Sequence, residues 1–336
     1  MLKKLSLLSI LIISFAPGLL MAQVELTTYA GRGKVGTTGL QFLKIGVSAR
    51  AVAMGESYVA LANDASAMYY NPAGLTQCKR REAFFTHTKW PADISHEFAG
   101  IILPTIRYGT IGAFLNVLTT GDMKRTVPYI GWTGEYFSCT DWAVGLSYSR
   151  ALTDKFSIGG NVKYIVEYLD SEKISVYAAD FGTLFDVGWR KMKFGMNISN
   201  FGPNSTFISE DFSLPINFKI GAVFEAFNRN HNNVMVSFEG CHPNDNVEQL
   251  ALGVEYKFYD YVYLRSGYRM FVELDELDRV VRIGERDVDV DDPHEGLSMG
   301  VGFQIPFGNY ITKLDYAYSD MGFLNDGQRF TIAFQF

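Results

Sequence analysis

Cysteine is scarce in this chain: 336 residues hold three, Cys78, Cys139 and Cys241. So odd and scattered a set builds neither a disulfide framework nor a CxxC or zinc-type ligand pattern, and the three read as structural. Positive charge is not in excess, with 30 Lys and Arg against 36 Asp and Glu and a net charge of −6. That balance leaves no basic footprint for nucleic acid. Beyond Gln23 no apolar run approaches the roughly 20 residues that a membrane-crossing helix needs. Cofactor and catalytic motifs fail on context. Gly31-Arg32-Gly33-Lys34-Val35-Gly36 fits GxGxxG but lacks the strand before and the helix after that a dinucleotide site requires. Gly296-Leu297-Ser298-Met299-Gly300 fits GxSxG, yet Ser298 lies within an alternating strand and faces inward, where no nucleophile elbow forms. His87, His96, His231, His242 and His294 have no Ser or Asp at useful spacing, and each reads as a solvated loop histidine. The sequence therefore argues against an enzyme and calls for no cofactor or metal.

What is present begins with a leader. Lys3 and Lys4 precede an apolar run from Leu5 to Phe15, Pro17-Gly18 breaks it, and Leu20-Met21-Ala22 precedes an expected cut at Gln23. This is the form of a secretory signal peptide over 1–22, too short to cross a bilayer of roughly 30 Å. No Cys follows the cut, which argues against a lipoprotein. Losing two lysines takes the net charge from −6 to about −8.

Aromatic residues make up 15% of the chain and there are 32 glycines, a composition of strands and tight turns. From about Arg81 the dominant period is two. Trp142, Val144, Leu146 and Tyr148 alternate with Ala143, Gly145, Ser147 and Ser149; Leu297, Met299, Val301, Phe303 and Ile305 alternate with Ser298, Gly300, Gly302 and Gln304. Each segment thus has one apolar and one polar or small face. The segments number about 14, run about 9 to 14 residues, and are joined alternately by tight turns and longer loops, notably Thr119–Ser138, Phe201–Leu214 and Glu273–His294. A soluble sheet has no reason to sort its loops in this way. The expected fold is all-β: a transmembrane antiparallel β-barrel of about 14 strands in the outer membrane, spanning 79–336. Its last strand places Phe330, Ile332, Phe334 and Phe336 on one face, similar to the C-terminal signal that barrel insertion machinery reads.

Residues 40–78 break the strand pattern. A barrel of this size is wider than the eight strands that side chains can fill, so its lumen needs water, a ligand or a plug. Residues 40–78 suit a plug, with 23–39 as an N-terminal extension. Lys44-Ile45-Gly46-Val47-Ser48-Ala49-Arg50-Ala51, Met54-Gly55, Ala60-Leu61-Ala62-Asn63-Asp64-Ala65-Ser66-Ala67 and Asn71-Pro72-Ala73-Gly74-Leu75 resemble the PorV/PorQ family. That family is related in fold to the FadL long-chain fatty acid transporters, whose hatch carries a similar Asn-Pro-Ala turn. The resemblance implies a FadL-like barrel in a Gram-negative bacterium of the Bacteroidetes kind, and a link to type IX protein secretion through its translocon or the C-terminal domains of secreted cargo. On it, Arg50, Asp64, Asn71, Pro72, Ala73 and Gly74 are plug residues.

Two further expectations concern the lumen and the loops. Lys163, Glu167, Lys219, Glu225, Glu239, Glu255, Lys257, Arg265, Arg269, Lys313 and Asp315 face inward and must be paired or hydrated, with Arg50 and Asp64 as partners on the plug. Nine acids crowd the Glu273–His294 loop; a solvated surface is the plainer reading, a divalent-cation site the sharper one, and a patch for a basic partner a third. Three functions are compatible with these features: a component or cargo-binding partner of type IX secretion, a FadL-like channel for hydrophobic molecules, and a barrel enzyme, which nothing favours. The channel reading calls for an apolar pocket lined by Phe42, Leu43, Met54, Met68, Tyr69 and Tyr70.

Overall fold

The computed structural model describes residues 36–105, 107–170, 172–207, 210–274, 280–283, 296–322 and 326–336, without side chains between 273 and 295. The leader, most of the 23–39 extension and the acidic side chains of the Glu273–His294 loop lie outside these residues. The strands are β1 (Glu82–Trp90), β2 (Ile94–Thr105), β3 (Gly109–Thr119), β4 (Met123–Val127), β5 (Gly131–Phe137), β6 (Cys139–Ala151), β7 (Phe156–Leu169), β8 (Glu172–Asp186) and β9 (Lys193–Phe201). There follow β10 (Ser205–Phe207), β11 (Glu210–Phe212), β12 (Asn217–Arg229), β13 (Asn232–Pro243), β14 (Glu248–Phe258), β15 (Val262–Leu274), β16 (Val280–Ile283), β17 (Leu297–Phe307), β18 (Tyr310–Asp320) and β19 (Asp326–Gln335).

Fourteen of them, β1–β3, β6–β9, β12–β15 and β17–β19, form one antiparallel ring in which β19 closes on β1, from Glu82 opposite Gln335 to Lys89 opposite Gln328. The Phe336 N–H adds a bond of 3.0 Å to the Arg81 carbonyl. Closure leaves no unpaired wall edge.

Side-chain alternation makes the wall two-faced, and its polarity is the reverse of a soluble protein's. Val144, Leu146 and Tyr148 on β6 are exposed, whereas Ser147 and Ser149, which alternate with them, are buried. Ile111, Leu115, Phe238, Leu264, Met299 and Ile305 likewise point out, while Asn116, Asn161 and Asn197 are buried in the lumen. An apolar belt this continuous is stable only against lipid. Exposed Tyr108, Trp189, Tyr259, Phe307 and Tyr310 lie near the short-turn end of the belt, and Trp142, Tyr164 and Tyr177 form a ring cluster toward the other. Phe330, Phe334 and Phe336 are exposed and Ile332 half-buried, so the closing strand carries its aromatic face outward.

The short turns gather at one end, including those after β2, β6, β12, β14 and β17, and the long connections at the other. Two long connections are structured: β4 pairs with β5, and β10 with β11, as hairpins outside the ring. Residues 119–138 were legible as a loop only; the β4–β5 turn depends on the left-handed backbone at Tyr129 and Gly131. Two connections at the long-loop end, between β1 and β2 and between β7 and β8, are tight.

From about residue 38 the chain ahead of β1 lies inside the ring, in short turns and helices: Gln41–Lys44, Ala49–Ala53, Ala67–Tyr70 and Pro72–Gln77. Wall glycines let backbone meet backbone all round. A Cβ built on Gly267 of β15 would stand 2.0 Å from the Met54 carbonyl carbon, one on Gly195 of β9 2.5 Å from the Val59 oxygen, and one on Gly159 of β7 2.4 Å from the Ala73 nitrogen. Contacts with β7, β9 and β15 from one short segment require it to sit within the barrel.

Candidate functional site

The candidate site is the contact between this luminal segment and the wall. Its largest charged cluster centres on Glu255 of β14. Arg50 grips Glu255 with two bonds, Nε–Oε2 at 2.7 Å and Nη2–Oε1 at 2.9 Å. Arg265 of β15 donates to the same Oε2 at 2.7 Å and reaches Asp315 of β18 at 2.5 Å. Arg50 also donates to Tyr58 Oη at 3.1 Å and Asn63 Oδ1 at 2.6 Å. Asp64 is tied within the segment instead, accepting from Tyr58 Oη at 2.8 Å and the Ser66 N–H at 3.0 Å, with Arg50 3.6 Å away. Burial alone would raise its pKa, but Arg50, Lys313 and those bonds outweigh burial and hold the carboxyl below the usual carboxylate range.

Two wall carboxylates hold the segment by its backbone. Glu239 Oε2 of β13 accepts the Tyr58 and Val59 N–H groups, each at 2.8 Å, while Lys219 of β12 holds its other oxygen at 3.0 Å. Glu82 of β1 accepts the Ala65 N–H at 2.8 Å and pairs with Lys313 at 2.9 Å. Tyr58 and Glu82 were not singled out from the sequence. Glu82 could have been found, since it shares parity with Phe84, Thr86 and Thr88 on the inward face.

On the opposite wall the Asn71-Pro72-Ala73-Gly74 turn does the docking. Asn71 Oδ1 caps the turn by accepting the Ala73 N–H at 3.1 Å, and Pro72 fits the first helical position, where no N–H is needed. Asn71 Nδ2 donates to Val59 O at 2.7 Å and to Thr183 O of β8 at 3.0 Å. Gly74 is required by space, for a Cβ there would sit 2.2 Å from the Ala62 oxygen. At the segment's start, Lys44 pairs with Asp245 at 2.7 Å, in the loop between β13 and β14, and Thr38 and Gln41 donate to the same carboxylate. Burial opposes ionisation of Asp245, but these bonds win and hold its pKa below the ordinary value.

Of the six apolar residues expected to line a pocket, Met54, Met68 and Tyr70 are fully buried in one cluster with Phe84, Phe98 and Phe114, and Tyr69 packs against it. Phe42 and Leu43 lie in a second cluster, against Ala143, Ile165 and Val176. Tyr69 Oη links the two by donating to Leu43 O at 2.9 Å. A cavity beside the segment is polar, with a volume of about 80 Å³, and Lys44, Glu56, Lys219, Glu239, Gln249 and Arg269 are among its lining residues. Sites that enclose a drug-sized ligand need roughly 300–1,000 Å³.

The charged wall residues expected inward largely find partners: Lys163 with Asp180, Lys219 with Glu239, Glu255 with Arg265, Lys313 with Glu82, Glu225 with Lys191 and Lys257 with Asp260. The reading of the histidines as solvated fails for His96. The parity of β2 turns it into the lumen, where it is 1% exposed, whereas His87 on the outward face is half-exposed and 2.6 Å from Glu97. Among the described residues no cluster of three or more His, Cys, Asp or Glu could hold a metal ion.

No family model matches the sequence, and no curated protein matches it. Solved structures do. The chain is similar to the Pseudomonas putida toluene transporter TodX at 10% identity and a TM-score of 0.59, and to the Ralstonia pickettii toluene transporter TbuX at 14% and 0.56. It is similar to a Pseudomonas aeruginosa FadL homologue at 12% and 0.52. Each likeness covers 86% of this chain and 98% of the other. The fold is that of the FadL-like outer-membrane barrels.

Proposed function

We propose that this chain is an outer-membrane channel that admits hydrophobic small molecules and is held shut by its luminal segment, acting as a hatch. The reading rests on the likeness to toluene transporters over nearly their whole length, combined with a lumen closed by ion pairs and neutral hydrogen bonds. In this reading Phe42, Leu43, Met54, Met68, Tyr69 and Tyr70 line the path once the segment shifts. The leader directs export, and the outward Phe330–Phe336 face guides insertion. The test is uptake of labelled toluene and of a long-chain alkanoate by cells with and without the chain. Uptake should depend on the chain and stop when an Ala53→Cys, Gly300→Cys disulfide pins the segment to β17. Equal uptake in both strains would remove the channel reading.

A second reading keeps the PorV/PorQ resemblance and makes the chain a component or cargo-binding partner of type IX secretion. The observation favouring it is the β4–β5 hairpin, which exposes Tyr129, Ile130, Trp132 and Tyr136 beyond the wall, an apolar surface of the kind partner proteins cover. Gentle-detergent purification followed by mass spectrometry tests it. Stoichiometric cargo or translocon subunits would support it, and a barrel carrying only lipid would sink it.

A further inference from the structure

The short-turn end, which faces the periplasm in barrels of this kind, is basic although the chain as a whole carries a net charge of −6. Arg81, Arg107, Arg150, Arg190 and Arg229 are exposed there, and none has an ion pair among the described residues. Lys79, Arg80 and Lys155, also exposed, add to the excess. The acids at this end offset little of it. Glu225 pairs with Lys191 and Asp260 with Lys257, while Asp186 accepts the Gly188 N–H at 2.8 Å. Among the described residues, Asp154 and the terminal carboxylate of Phe336 remain.

These arginines follow the outer face of the wall. Alternate residues of a strand share one face, so Arg150 continues the row of Val144, Leu146 and Tyr148, Arg229 follows Phe227, and Arg81 precedes Ala83 and Phe85. Each stands about 7 Å along the chain from the nearest member of that apolar row. Arg107 and Arg190 lie in turns, their guanidinium carbons 5.7 Å from the Tyr108 ring centroid and 5.3 Å from that of Trp189. Both rings are exposed at the edge of the belt. Aromatic rings in the interface with cations just beyond them suit a layer of lipid headgroups. The five occupy consecutive positions round the ring: the start of β1 and the β2–β3, β6–β7, β8–β9 and β12–β13 turns. The β14–β15 and β17–β18 turns carry no unpaired cation.

We propose that this arc binds anionic phospholipids of the periplasmic leaflet, its guanidinium groups holding headgroup phosphates just beyond the apolar belt. The planar fork of a guanidinium matches paired phosphate oxygens and stays charged at any physiological pH. A headgroup with its own cation is repelled by the arc even as its phosphate is attracted, so lipids of net negative charge are favoured. A soluble polyanion would instead meet cations on the end face of the ring, whereas Arg81, Arg150 and Arg229 share the lipid-facing side. The surface does not depend on what the barrel transports.

The test is competition between lipids for the full-length protein. The barrel is reconstituted in equal parts phosphatidylglycerol and phosphatidylcholine and extracted in mild detergent, and the lipids still bound are counted by native mass spectrometry. Phosphatidylglycerol is expected in excess. One arginine at an anionic surface is worth about a fivefold preference, so Arg150→Gln should cut the excess about fivefold. Arg81→Gln, Arg150→Gln and Arg229→Gln together should abolish it, and the single variant carries the test if the triple one does not fold. Asp122→Asn with Glu172→Gln, at the long-loop end, should leave the excess as it was. Equal retention of the two lipids by the native protein, an excess that the arginine variants keep, a comparable change in the acid control, or displacement of phosphatidylglycerol by inorganic phosphate overturns the proposal.

Discussion

Removing Glu239 should open the lumen locally without unfolding the barrel. In Glu239→Ala the Tyr58 and Val59 N–H groups lose a shared acceptor at 2.8 Å, and Lys219 loses its carboxylate. A hydrogen bond to a charged group is worth about 1.5–3 kcal/mol, so two give about 3–6 kcal/mol. Three kcal/mol is already more than about 100-fold in an opening equilibrium. The segment as a whole stays docked, because Met54, Met68, Tyr70 and Leu75 remain buried and each contributes about 1.5–3 kcal/mol. Amide hydrogen exchange should therefore accelerate about 100-fold or more at Tyr58 and Val59, while β13 itself changes little. Glu225→Ala is the control: its partner Lys191 is 60% exposed, and such a pair is worth less than about 1 kcal/mol. Exchange at Tyr58 and Val59 within about threefold of native, or an equal acceleration everywhere, would refute the idea that this carboxylate clamps the segment.

Other perturbations probe separate links. Gly267→Val pushes a side chain into the Met54 backbone, where no rotamer change can yield; protease cleavage near Ala53–Gly55 should rise while the ring stays folded, and unchanged cleavage counts against direct docking there. Asp245 has a depressed pKa in the fold, so the stability it lends is full above its unfolded value near 3.9 and is lost as pH falls through the folded value. A spin label at Gly39 should gain mobility below about pH 4, and Asp245→Asn should be mobile at every pH. Deleting Phe336 removes the last outward ring and the bond to Arg81; the folded fraction on unheated gels should drop, and an unchanged fraction would separate the terminal Phe from assembly.

The wall was legible because its signal is local. A period of two runs through most of the wall, broken locally where β8 and β12 shift register, and sorting loops by length identified the ends without any contact being known. The luminal segment was legible only as an interruption. Its docking depends on pairs such as Arg50 with Glu255, 205 residues apart, and no periodicity reports such a distance. Where parity was applied it worked: Glu239, Glu255, Arg265 and Lys313 all face inward as expected. Where a residue was judged by its place near a loop, as His96 was, parity would have corrected the reading, since Phe98 and Ile102 on the same face are buried. Hairpins such as β4–β5 escaped because a tight turn there needs a non-glycine residue, Tyr129, with φ of 70°, which composition does not announce.

The two sides of the luminal segment are held by different chemistry, and this decides which side yields first. Toward β13, β14, β19 and β1 its bonds involve charge: Arg50 to Glu255, Tyr58 and Val59 to Glu239, Ala65 to Glu82, and Arg329 to Gly46. Toward β3, β7 and β8 they are neutral: Thr110 to Leu75 O at 3.2 Å, Thr76 with Ser157 at 3.0 Å, and Asn71 to Thr183 O at 3.0 Å; the charged donor on this side is Lys193 of β9, which holds Gln77 at the end of the turn. Ser147, Ser149 and Asn197 on that wall leave side-chain atoms without a partner in the protein. Apolar burial does not break the tie, since Met54 and Tyr58 on one side and Met68 and Leu75 on the other are each 0% exposed. Bonds to charged groups contribute about twice what neutral ones do, so the Asn71–Thr76 part of the turn, ahead of the Lys193 bond at Gln77, should undock first and the charged side should act as the hinge. Hydrogen exchange in the native protein should then be faster at Ala73 and Gly74 than at Tyr58 and Val59. The reverse order would mean that packing, not charge, sets the hinge.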